Sequence, residues 1–257
     1  MEFKVVSWNV NSIRARLNLV LEFLKDRDPD VLCIQETKVE DKLFPKEEFE
    51  KLGYNIVFKG EKRFNGVATI SKHPITVESL EFEGERDQKR SLITTINGIT
   101  IINLYFPNGQ TPESEHFKYK IDFIYKLKEF LLKHYANEKN LIILGDFNVA
   151  REEIDVYDKD AMEGKIGFHP KEREALNDLY NFGFVDLFRK FSKEKAFSWW
   201  DYRKGNFWKN IGLRIDYIWS TQQLAEKCKA CFIDKRYRKK KKPSDHAPVV
   251  AVFELEG

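Results

Sequence analysis

Cysteine is scarce in this chain: Cys33, Cys228 and Cys231 are the only three in 257 residues. An odd count at irregular positions supplies no disulfide framework, so a reducing compartment is expected. Cys228 and Cys231 are spaced C-x-x-C, but no second pair completes a zinc site. They read as ordinary buried or half-buried thiols. Long apolar runs are missing too. No segment approaches about eighteen consecutive apolar residues. The amino terminus, MEFKVVSWNV, has no charged lead ahead of a long apolar stretch. A soluble, cytoplasmic protein with no membrane partner is expected. There is no nucleophilic serine or cysteine motif, no Walker loop and no paired dinucleotide glycines, so no small-molecule cofactor is expected. Charge of one sign is lacking as well. A net charge of +3 is too small to argue for a nucleic-acid partner by itself, so placement matters more than the sum.

What is present is a core and a pattern. Hydrophobic residues make up 42% and aromatics 14%, enough to exclude a disordered chain. Apolar runs of strand length recur at residues 3–8, 31–35, 54–58, 66–71, 91–96, 100–105, 141–144, 214–220 and 249–253. Asn97-Gly98 between two of them signals a hairpin. Helical spacing appears at Leu17, Val20, Leu21 and Leu24, with Pro29 and Asp30 as the stop. It appears again from Phe117 to Leu132, and over residues 170–182, where Pro170 suits the first turn and Gly183 the end. Strands outnumber helices, and hairpins mix with helical crossovers. The expected fold is α/β: two mixed sheets packed face to face with helices outside, in one domain spanning residues 1–257.

The apolar runs share one habit: they end in polar groups. Trp8 leads to Asn9 and Asn11, Ile34 to Gln35 and Glu36, Tyr105 to Asn108, and Leu144 to Asp146 and Asn148. Arg214-Ile215-Asp216 and Ser244-Asp245-His246 repeat it. An unpaired buried carboxylate costs several kcal/mol, whereas a strand end at a water-filled mouth can carry one. Any single case is the ordinary chemistry of turns; the set together predicts a polar cluster on a rigid frame. Carboxylates and amides with one histidine favour Mg²⁺ or Mn²⁺ over zinc. Such a group suits hydrolysis of a phosphate ester, with metal and donors stabilising the charged state and a carboxylate or histidine activating water.

At these positions the chain closely resembles the exonuclease III-like apurinic/apyrimidinic (AP) endonucleases of the endonuclease/exonuclease/phosphatase superfamily. The matching stretches are SWNVNSIRA, CIQETK, NLYFPNG, GDFNVAREEID, GFHPKER, GLRIDYIWS and SDHAPV, in family order across essentially the whole chain. The resemblance implies a four-layer α/β sandwich with its site at one end of the sheets. It implies Glu36 as principal metal ligand, with Asn9, Asn11 and Asp245 close by, and Mg²⁺, replaceable by Mn²⁺, as cofactor. Asp146 is then expected to orient or deprotonate water, Asn148 to bind the scissile phosphate, His246 to contact a phosphate oxygen, and Asp216 to hold the imidazole. Tyr105 and Asn108 are expected to line the phosphate pocket. Two candidates for the base stay open, Asp146 and the His246–Asp216 pair. Asn11 stands where many relatives carry aspartate. Leu213 replaces an aromatic in G-x-R-x-D-Y, which predicts a less aromatic pocket wall. The amino-terminal extension of animal relatives is not expected.

The implied partner is duplex DNA with abasic or damaged sites, met by a monomer. Phe197, Trp199, Trp200, Tyr202, Phe207 and Trp208 crowd among Arg203, Lys204, Asn206 and Lys209. Some must be core; Asp201 and the basic residues argue for an exposed loop. The expected DNA contacts are Trp199, Trp200, Arg203, Lys204, Asn206 and Lys209, with Lys120 and with Arg238 from the basic run RYRKKKKP. The expected activity is Mg²⁺-dependent cleavage 5′ to an abasic site leaving a 3′-hydroxyl, with 3′→5′ exonuclease and 3′-end cleaning, and incision at deaminated bases as an extension. The alternatives are a phosphatase or sphingomyelinase-like esterase, and a non-catalytic DNA-binding module.

Overall fold

The computed structural model describes residues 1–256. In chain order its strands are β1 (Glu2–Asn9), β2 (Val31–Gln35), β3 (Asn55–Lys59), β4 (Val67–Ser71), β5 (Thr76–Val77), β6 (Ser91–Ile96), β7 (Ile99–Tyr105), β8 (Leu141–Asp146), β9 (Phe184–Asp186), β10 (Asp216–Thr221), β11 (Cys228–Ile233) and β12 (Val249–Glu254). They form two six-stranded sheets, ordered β11-β12-β1-β2-β4-β3 and β5-β6-β7-β8-β10-β9. Each sheet is mixed: β1 and β2 run parallel in the first, β7 and β8 in the second. The helices are α1 (Ile13–Arg27), α2 (Lys46–Glu50), α3 (Glu115–Tyr135), α4 (Lys159–Met162), α5 (Pro170–Tyr180), α6 (Leu187–Phe191) and α7 (Gln222–Glu226).

Strand β8 shows why the central strands are apolar throughout. Ile142 and Leu144 pack toward the other sheet with Val5, Cys33 and Ala251. Leu141 and Ile143 point outward onto Phe123, Leu127 and Leu176 of α3 and α5. Both faces are covered, so alternation disappears from the sequence. On the far side α1 lays Val20 and Phe23 against Val6, Trp8 and Ile34. Helix, sheet, sheet and helix make the four layers.

Local signals set the ends of these elements. Ser12 and Ser114 cap α1 and α3 with side-chain oxygens that accept from Ala15 N and Phe117 N. Asn97 and Gly98 both adopt positive φ, 50° and 75°, as a two-residue hairpin turn requires. All three cysteines are buried, and burial pushes the Cys33 thiol up to about 12. No helix among the described residues is long and apolar enough to cross a membrane.

The differences from the sequence expectation are short or marginal elements. β5 and β9, and the one-turn helices α2, α4, α6 and α7, carry no run long enough to show a period. In β11 a bulge between Cys228 and Ala230 breaks the alternation. The expected strand at 214–220 begins only at Asp216, because Arg214 turns inward to an ion-pair network instead of joining the ladder.

Candidate active site

Sheet register assembles the site. Tyr105, Asp146 and Asp216 are direct neighbours across β7, β8 and β10. Asn9 and Gln35 are neighbours at the ends of β1 and β2, and Glu36 follows at once. Gly145 makes the close approach possible. Its φ is +139°, and a Cβ there would lie 1.9 Å from the Leu104 carbonyl oxygen, so no other residue lets β8 pass β7. One side chain then stitches the two sheets: Asn9 Nδ2 donates to Glu36 Oε1 at 3.1 Å and to Asp146 Oδ2 at 2.8 Å. The Tyr105 hydroxyl donates to the same Glu36 oxygen at 2.7 Å.

The Ser244-Asp245-His246 turn closes on this group from the start of β12. Ser244 Oγ donates to the Asn9 carbonyl at 2.6 Å and accepts from His246 N at 3.2 Å. His246 Nδ1 pairs with Asp216 Oδ2 at 2.8 Å, which leaves Nε2 facing Asp146 Oδ2 at 3.6 Å and Asp245 Oδ1 at 4.0 Å. Asp245 in turn accepts from Trp199 Nε1 at 3.0 Å. Asn148, at φ 52°, donates its backbone N–H to Asp146 Oδ1 at 3.0 Å and one amide hydrogen to the Phe106 carbonyl at 2.8 Å. Its second amide hydrogen remains for a ligand.

Burial and charge divide the titrating groups. Burial pushes the Asp146 carboxyl up to about 7; His246 pulls it down, while Asp216 and Glu36 raise it further. Burial alone would depress the His246 imidazole, but Asp216, Asp146 and Asp245 outweigh it and hold the ring well above its ordinary value. Burial also acts to raise Glu36, yet Lys38 at 3.2 Å, Tyr105, His246 and Asn9 hold it below the usual carboxylate value. The site therefore favours a protonated imidazole beside an ionised Glu36.

These groups face a cleft of about 280 Å³. Glu36, Tyr105, Asn108, Asp146, Asn148, Asp245 and His246 line its polar side. Ile166, Gly167, Trp199, Leu213 and Ile215 line the other. Leu213 thus does stand in the wall, and Trp199 is its one aromatic side chain.

Four carboxylates (Glu36, Asp146, Asp216 and Asp245) meet only one imidazole and one ammonium, Lys38. Asp216 Oδ1 is buried without a partner. An oxygen-rich site with surplus negative charge fits a hard divalent cation. Asp146, Asp216 and His246 offer ligand atoms within 4.8 Å of one another, but Asp216 and His246 are already committed to their mutual hydrogen bond. Glu36 and Asp245 carry carboxylate oxygens on the polar side of the cleft, while the Asn9 amide oxygen already accepts from Asn11 N at 3.0 Å.

Several expected roles are corrected. Lys120 is wholly buried and pairs with Glu172, so it cannot reach DNA. Trp200 is fully buried and packs its ring edge-on with Phe207. Arg238 is also buried, over the Tyr202 and Phe207 rings, with NH2 donating to the Trp200 carbonyl. Both belong to the frame beneath the loop. Asn11 Oδ1 accepts from Lys38 Nζ at 2.6 Å, so a cation there would compete with the ammonium. Arg203, Lys204 and Lys209 are exposed, with Asn206 half-buried among them. The sequence reading missed Lys38, whose signal was a cation two residues from Glu36. It also left Phe64 and Trp208 unassigned, which are 65% and 75% exposed.

Residues 6–246 match the family model described as Endonuclease/Exonuclease/phosphatase family. The exodeoxyribonuclease III of Haemophilus influenzae is 37% identical over 265 residues, covering 97% of this chain and 99% of that protein. The structure of an AP endonuclease from Archaeoglobus fulgidus superposes with a TM-score of 0.93 at 40% identity, over 98% of this chain and 100% of the other. A 3′ phosphatase from Neisseria bound to a product DNA hairpin gives 0.94 at 35% identity, over 98% and 100%.

Proposed function

Because this chain belongs to the endonuclease/exonuclease/phosphatase family, we propose that it is a DNA repair nuclease that hydrolyses the phosphodiester 5′ to an abasic site and leaves a 3′-hydroxyl. The same cleft then trims 3′ ends, as a 3′→5′ exonuclease and a 3′ phosphatase. The observation that carries the reading is the pair of hydrogen bonds from Asn9 Nδ2 to Glu36 and Asp146, which bring groups from both sheets into one basin. The likeness to exodeoxyribonuclease III, to an AP endonuclease and to a 3′ phosphatase supports the substrate class.

Asp146 is the base in this reading. Asp216, Asp146 and Asp245 all favour the charged imidazole, which makes His246 the poorer proton acceptor. Above about pH 7 the Asp146 carboxylate is free to take one from water. The imidazolium, oriented through Asp216, donates Nε2–H to a non-bridging phosphate oxygen, and the spare amide hydrogen of Asn148 binds another. Water attacks phosphorus as its proton passes to Asp146, the bond to the 3′ oxygen breaks, and that oxygen takes a proton from solvent to become the 3′-hydroxyl, leaving the phosphate on the abasic fragment. Glu36, with Asp245 and Asn9, would hold Mg²⁺, or Mn²⁺ in its place, which would supply charge neutralisation to the phosphate. A turned-out, base-less sugar lies against Leu213, Ile166 and Trp199. This wall is mostly aliphatic, and incision at deaminated bases is the extension it supports.

A labelled duplex with one abasic analogue tests the reading. Cleavage 5′ to the analogue with Mg²⁺, abolished by EDTA, is expected. Turnover confined to soluble phosphate esters returns the protein to the phosphatase branch, and binding without cleavage makes it a DNA-binding module.

A further inference from the structure

One buried cation ties together the two turns that carry the cleft's asparagines. Lys120 projects from α3 and is wholly buried. Its Nζ donates to the carbonyl oxygens of Asn108 at 3.0 Å and Asn148 at 2.7 Å, and to the Glu172 carboxylate. All three ammonium hydrogens are thereby used. The other Glu172 oxygen accepts from Gly167 N at 2.9 Å and His169 N at 3.0 Å, which anchors the far wall of the cleft to the same pair. Gly109 packs directly on the lysine stem: a Cβ there would lie 3.0 Å from Lys120 Cδ.

Helix packing does not need this charge. Elsewhere α3 meets α5 through apolar side chains, Phe123 and Leu127 against Leu176 and Leu179. A buried ion pair is weak evidence for stability, because desolvation offsets most of its attraction. What an ammonium adds and an apolar side chain cannot is direction: it draws two carbonyls from separate loops to one point.

We propose that Lys120, neutralised by Glu172, is a positioning residue for phosphodiester hydrolysis, setting the Asn108 and Asn148 turns so that their side chains meet the scissile phosphate. The inference rests on the nuclease reading and goes beyond it by assigning a function to a residue that touches no substrate. Placement errors of about 1 Å at a reacting group cost on the order of 10²-fold in rate.

The test is the double variant Lys120→Met with Glu172→Gln. Methionine keeps the stem volume, glutamine keeps the acceptor for Gly167 N and His169 N, and no lone charge is left buried. Expected are a retained fold with a lowered melting temperature, since two buried carbonyls lose their donor, a KM close to wild type and kcat lowered about 10- to 100-fold. Amide hydrogen exchange is expected to quicken at the 108–110 and 148–150 turns and not within β7 or β8. A folded variant with wild-type kcat, a loss confined to KM, or unchanged exchange at the two turns overturns the proposal. A wild-type protein that leaves the abasic duplex intact defeats the nuclease reading instead, and the exchange measurement then decides the Lys120 assignment alone.

Discussion

The strand-end basin and the aromatic-basic loop after Trp200 sit on the same edge of the molecule but are built in opposite ways. In the basin, Asn9, Asp146 and Asp216 are buried, the two aspartates are neighbours by register, and Asn9 bonds across the sheets to Asp146. In the loop, Arg203, Lys204, Trp208 and Lys209 are exposed, and Arg203 bonds only to nearby Asp201. Tyr202 anchors it through a hydroxyl that donates to the Pro243 carbonyl at 2.8 Å and accepts from Arg16 at 3.1 Å, and Phe207 packs on Trp200. Chemistry at a phosphorus atom demands fixed distances, which strand ends provide. Grip on a duplex backbone demands reach and charge, which a loop provides. Substitutions in the first region should therefore act on rate and those in the second on affinity and salt response.

The largest break in that contrast is Asp146→Asn. Turnover should fall about 10³-fold while DNA affinity stays within a few-fold, measured by single-turnover cleavage beside equilibrium binding. Equal losses in both would put Asp146 in binding. The same variant carries a pH signature. The folded carboxyl binds its proton more tightly than in the unfolded chain, so this group contributes stability that is full below about pH 4 and lost as pH rises through about 7. Metal-free Asp146→Asn should accordingly melt higher than metal-free wild type at pH 8, and an unchanged melting temperature would contradict the assigned environment.

His246→Ala should lower kcat about 10²-fold or more. Asp216→Ala should do less, about 10- to 100-fold, since it acts by holding the ring. Equal effects would make Asp216 a direct participant. Two tryptophans then sharpen the boundary between frame and loop. Trp200→Ala empties a buried site and should cost about 3–5 kcal/mol of stability, read by denaturant unfolding. Trp208→Ala should leave stability alone and weaken DNA binding by about 1–3 kcal/mol if its ring stacks on a base. Unaltered binding would make Trp208 a bystander. The smallest effect belongs to residues 239–242. Replacing their lysines by serine should flatten the salt dependence of binding, the slope falling by about 0.9 for each phosphate no longer neutralised. Lys240 already pairs with Glu22, so it should contribute least to that change.

Legibility followed the same division. The central strands and the long helices could be read because burial on both faces, or on one helical stripe, imprints a period on many residues at once. β5 and β9 could not, because two or three residues carry no period. In the aromatic-basic segment the composition was plain but the assignment was not. Trp200 and Trp208 look alike in sequence, yet one is fully buried and the other 75% exposed. Lys120 read as a surface cation because lysine nearly always is one; its buried partner, Glu172, lies 52 residues away.

The sequence alone determined which residue types reach the strand ends, and hence the oxygen-rich chemistry of a phosphodiesterase, because an uncovered carboxylate next to an apolar strand is too unfavourable to occur repeatedly without a use. Only the tertiary structure decided which cations face solvent and which are internal struts, that Asn9 joins Glu36 to Asp146, and that Asp216 pairs with His246 Nδ1. Those outcomes depend on distances between segments far apart in the chain, and a local pattern of residues carries no information about them.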